Sequence, residues 1–64
     1  MKTEVLLFLE RHPIRSFETD EIYLSRITEI AVEESLDMDS FFLVLGEKFP
    51  HSWKQIEKLQ SKFS

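Results

Sequence analysis

Apolar positions along the 64-residue chain gather into four clusters separated by polar or proline-bearing stretches. The first, Val5–Leu9, is continuous, so its period does not separate a buried helix from a buried strand. Leucine content and the flanking Glu4, Glu10 and Arg11 favour a helix over residues 2–11. Pro13 ends it, because the residue before a proline is pushed out of helical geometry. Residues 14–18 read as a connecting loop.

The second cluster is the clearest. Tyr23, Leu24, Ile27, Ile30 and Ala31 recur on one helical face, and Arg26, Glu29 and Glu33 fall on the other. Thr19 stands where an N-cap belongs, and Asp20 and Glu21 follow in the first turn, where the helix dipole favours acids. The pattern predicts a helix over residues 20–35.

In the third cluster, Met38, Phe41, Phe42, Leu45 and Phe49 keep helical spacing, with Leu43 and Val44 on the other side. A helix apolar nearly all round is expected at the centre of a fold. Asp37 or Asp39 can cap it. Gly46, the only glycine, is expected to close it as a C-terminal cap, with a turn at Phe49-Pro50-His51. The last cluster, Trp53, Ile56, Leu59 and Phe63, follows Ser52 and Gln55, which have capping-box spacing. The expected fold is all-α, a compact bundle of three to four short helices in one domain spanning residues 1–64. The alternative is a small βαβα fold with Val5–Leu9 and Phe41–Leu45 as parallel strands; two such strands alone make a poor sheet.

Composition narrows the class. With 42% hydrophobic residues and few Gly or Pro, the chain is not disordered. Without cysteine it has neither a disulfide framework nor a cysteine-rich zinc site. Core filling then falls to six Phe, one Trp and one Tyr. So small a domain does not easily hide all of them. Phe17, in the first loop, is the candidate for an exposed ring, followed by Phe42 and Phe63. Apolar runs of five residues are too short for a signal-peptide core or a membrane span, so a soluble cytoplasmic protein is expected.

Charge is segregated. The net charge is −4, yet residues 17–40 hold eight acids against Arg26 alone, and residues 41–64 hold four lysines against two acids. Glu29, Glu33 and Asp37 lie four apart, as do Lys54, Lys58 and Lys62. Like charges at that spacing oppose each other by a few tenths of a kcal/mol, which is roughly the size of one helix pair. One reading has the acidic stripe meet a basic partner. The other has both stripes as solvated faces, attracting each other within the fold.

Candidate chemistry is sparse. His12 and His51 stand apart, each beside a proline, and make no metal pattern. The serines are scattered and lack a nucleophile motif, and one glycine excludes the common phosphate-cradling loops. The pairs Glu33–Glu34 and Asp37–Asp39 would need a cleft to act as acid and base. No catalytic, metal or cofactor site is assigned, and enzymatic activity is not expected. The expected function is a small acidic interaction module that binds a basic-surfaced protein, or itself. Glu29, Glu33, Glu34 and Asp37 would form its rim, and Phe17 and Phe42 its apolar centre. The alternative is a helix–turn–helix-like DNA-binding regulator using Lys54, Gln55, Lys58 and Lys62. Against it stand the acidic net charge and the absence of arginine after Arg26.

Overall fold

The leucine-rich run at the start is a helix. A computed structural model describes residues 2–63 and gives α1 (Lys2–Arg11), α2 (Asp20–Glu33), α3 (Met38–Lys48), a 3₁₀ turn (Pro50–Ser52) and α4 (Trp53–Phe63). No strand occurs among the described residues, so the βαβα alternative is wrong. Val5, Phe8 and Leu9 face inward from α1 at helical spacing, while Leu6 and Leu7 stay exposed.

α3 takes the central place that its all-round apolar character implies, packing against α1, α2 and α4. Phe41, Val44 and Leu45 are buried there, while Leu43, Gly46 and the charged residues look outward. Val44, expected on the side away from the core, is covered because α3 is flanked by neighbours on both sides. Phe42 is 6% exposed, which corrects its assignment as an exposed ring. Its ring meets Phe41 edge-on at 5.4 Å, and Phe41 meets Phe8 in the same way at 5.9 Å. The three rings form the middle of the core.

Helix ends show where chain chemistry and expectation part. Thr19 caps α2 as expected, accepting the Ile22 N–H at 3.2 Å. α2 ends at Glu33, two residues early, in a Schellman-type closure. There Ser35 donates its N–H to the Val32 carbonyl and Leu36 donates to that of Ala31, both at 3.1 Å. Ser35 holds the left-handed conformation that closure demands, at φ 58°, and Leu36 tucks into the core behind it. Gly46 is no cap. α3 continues through it to Lys48, with Phe49 as the cap, and Gly46 has no positive φ. The capping box fails too. The 3₁₀ turn leads straight into α4, and the Gln55 amide donates to the Glu21 carbonyl at 2.7 Å and to Ser25 Oγ at 3.4 Å. Gln55 therefore ties α4 to α2.

A polar side chain, Thr28, lies within the core. Thr28 is fully buried, and its hydroxyl donates to the Leu24 carbonyl one turn back at 2.6 Å. No buried side-chain polar atom among the described residues lacks a partner. No helix among them is long and apolar enough to cross a membrane.

Candidate functional site

The connection from His12 to Thr19 inverts the usual polarity of a loop. Its charged Glu18 side chain is only 2% exposed, while Phe17 beside it is 78% exposed. A buried carboxylate has to be paired and hydrogen-bonded to survive removal from water. Arg26, one turn and a half into α2, provides the pair. Its Nε donates to Glu18 Oε2 at 2.7 Å and its Nη2 to Oε1 at 2.8 Å, a two-pronged fork. The Arg15 backbone N–H adds a third donor at 2.9 Å, and Glu18 returns its own N–H to the Arg15 carbonyl at 3.0 Å.

Further ties hold the loop's first half. Arg26 Nη2 reaches the Pro13 carbonyl at 3.2 Å. The Tyr23 hydroxyl donates to the His12 carbonyl at 2.6 Å, and the Arg26 guanidinium lies over the Tyr23 ring at 5.4 Å. The polar side of the loop is thus bolted to α2. Its apolar side chains, Ile14 and Phe17, have nowhere to turn but outward, and Ile22 in the first turn of α2 is exposed as well.

The fork makes the loop sensitive to acid. The Arg26 hydrogen bonds, helped by the Arg15 N–H and opposed by burial, lower the Glu18 carboxyl from its ordinary 4.5 to about 2. A carboxyl lowered by folding contributes its full stabilisation above the ordinary value and loses it as pH falls towards the folded one. Stability is therefore expected to drop between about pH 5 and pH 2, and Glu18→Gln is expected to flatten that limb while lowering the melting temperature at neutral pH. Thermal melts of both proteins across that range check it. Equal acid slopes would show that Glu18 does not carry the dependence.

The acidic residues do not form the continuous stripe their spacing suggests. Glu34 lies at the α2 C-cap, where its carboxylate is 3.6 Å from the Arg11 guanidinium and 3.5 Å from His12 Nε2. Asp37 is separated from α2 by the left-handed turn at Ser35. It caps α3, accepting the Asp39 N–H at 3.2 Å and the Ser40 hydroxyl at 2.8 Å. The Ser40 hydroxyl is the main reason its carboxyl stays below the usual value. Glu29 and Glu33 alone remain as exposed acids on the outer face of α2, in register with Ile22. Of the expected apolar centre, Phe17 is on the surface and Phe42 is in the core. Trp53, which spacing placed with the core, is 56% exposed, with the Lys54 Nζ over its ring at 5.6 Å.

The residues of the DNA-binding alternative do share one side of α4. Lys54, Lys58 and Lys62 border a groove between α2 and α4, and Gln55, engaged with α2, lies among them. No group of three or more metal-ligating side chains is assembled among the described residues. The signal that sequence reading passed over was Glu18. Its partner lies eight residues on, across a helix start, and no helical or strand period links the two. No protein-family model matches the chain, and neither a curated protein nor a solved structure matches it, so the reading of the site rests on these residues alone.

Proposed function

We propose that the protein is a non-catalytic interaction module whose anchored α1–α2 loop presents Phe17 and Ile14 to a protein partner. The supporting observation is the inverted loop, with Glu18 turned in and Phe17 turned out. A mobile loop loses entropy when it binds; one already fixed by five side-chain hydrogen bonds to and from Glu18, Tyr23 and Arg26 loses less. An aromatic side chain held in that way has the character of an interface hot spot. Glu29 and Glu33 favour a partner whose pocket for the ring is bordered by basic groups.

Placing the photoreactive p-benzoylphenylalanine at position 17, and separately at Leu43 on α3, which is also exposed, tests the proposal in the native cell extract. Position 17 is expected to crosslink one protein that position 43 does not. With that protein purified, Phe17→Ser is expected to weaken binding by about thirtyfold, the effect of a hot-spot side chain. Its melting temperature should stay near that of the parent, because the side chain rests on the surface. Glu29→Lys with Glu33→Lys should lower the association rate, most at low salt. The same crosslinks from both positions, or none from position 17, would remove the basis for the reading.

A further inference from the structure

Acids outnumber bases in this chain, yet three lysines side by side make no ion pair among the described residues. Lys2 lies 3.1 Å from Glu47, Arg11 pairs with Glu34 and Arg26 with Glu18. Lys54, Lys58 and Lys62 have no carboxylate within 4 Å among the described residues. They follow one another at a rise of about 6 Å along α4, where like charges repel. A row of that length cannot be neutralised by one anionic group. A molecule carrying two or more can neutralise most of it.

The row borders the groove between α2 and α4, of about 590 Å³, within the size range of small-molecule sites. Three further features give the groove a chemistry. His51 and Ser52, in the 3₁₀ turn that opens α4, line one end. Ser25, which accepts from Gln55, adds a hydroxyl to the groove lining. Glu21, on the α2 wall, brings a carboxylate that accepts hydrogen bonds but repels anions. Gln55 holds the two walls together, so their spacing is set before anything binds. One wall suits phosphoryl oxygens and the other suits hydroxyl groups.

We infer that the α2–α4 groove binds a small phosphate ester carrying at least two phosphoryl groups and a hydroxylated sugar, with the chemistry of a nucleoside diphosphate. The lysines take the phosphoryl oxygens in charge-assisted hydrogen bonds, and Glu21 accepts from the sugar hydroxyls. None of the groove's lining residues belongs to the loop that presents Phe17.

Calorimetry and amide chemical-shift titration at low salt test the inference with three probes: ADP, inorganic pyrophosphate and a single-stranded 12-nucleotide DNA. ADP is expected to bind saturably at one site, with shifts centred on residues 51–62 and on Ser25. Lys58→Gln with Lys62→Gln should weaken ADP about tenfold or more, whereas Lys48→Gln, on α3, should not. Glu21→Leu should weaken ADP yet strengthen pyrophosphate, because it removes an acceptor and a repelling charge together. All these side chains are exposed or half-exposed, and unchanged melting curves will show that the variants fold. The inference is overturned if ADP does not saturate, or if Lys48→Gln weakens it equally. It is also overturned if only the oligonucleotide binds, with a steep salt dependence, which would make the lysine row a nucleic-acid face.

Discussion

Phe41→Ala is expected to lower the urea midpoint by about a third or more, and at the low end of this domain's stability range to unfold it at 25 °C. The Phe41 side chain is completely buried and stands between Phe8 and Phe42 at ring separations of 5.9 and 5.4 Å. Truncating a buried phenylalanine costs about 3–5 kcal/mol, the sum of lost transfer energy and the cavity left behind. A chain of this length has a total stability of roughly 3–10 kcal/mol, at about 0.05–0.15 per residue. The loss therefore takes from about a third of the margin to all of it. No disulfide is present to make up the difference. Phe41→Leu, which keeps most of the volume, should cost under about 1.5 kcal/mol and fold. Urea titrations followed by far-ultraviolet circular dichroism measure both. A Phe41→Ala midpoint equal to the parent's would mean that α3 is not the keystone its contacts make it.

Exchanging two residues should have the opposite effect. Ser35 adopts φ 58° in the closure of α2, a conformation that an L-residue with a Cβ reaches at about 1 kcal/mol or more and glycine reaches freely. Gly46 sits in the interior of α3, has no positive φ, and a Cβ built on it meets nothing within 4 Å. There glycine weakens the helix by about 0.5–1 kcal/mol relative to alanine. The chain's one glycine stands where alanine would serve better, and a serine stands where the glycine would. Ser35→Gly with Gly46→Ala is expected to add about 1.5–2 kcal/mol, the two effects summing because the sites share no partner. For a domain this small, that corresponds to a rise of about 6–15 °C in melting temperature. Scanning calorimetry of the two single variants and the double variant checks it. A loss from Gly46→Ala would point to a role for the bare backbone at that position.

The same pair of residues shows what was legible in the sequence and what was not. Helix identity followed from periodicity in α2 and α4, and from leucine content with charged flanks in α1. Thr19, and Asp37 as one of two candidates with Asp39, were readable as caps because such side chains compete locally for backbone N–H groups. Gly46 misled because glycine near the end of an apolar run usually marks a cap, and three more residues of α3 or its cap lay beyond it. The true left-handed position was occupied by serine, which carries no such signature; Leu36, the apolar residue just after it, was the available clue. The stop at Glu33 then moved Asp37 off the stripe that a continuous helix would have given it. Among the site residues, exposure of Phe17 was legible from its place in a loop. The inward turn of Glu18 was not, because it depends on Arg26 arriving from a separate element. Phe42 was misread because the count of aromatics said only that some ring must be outside.

Because backbone and carboxylate anchors carry the shape of the first connection, the identities of Ile14, Ser16 and Phe17 are nearly free of folding constraints. A library randomised at those three positions, with Glu18, Tyr23 and Arg26 left alone, should yield mostly soluble, cooperatively melting members. Such a fold can change what it recognises by rewriting a few letters, and its interior need never be repacked to match.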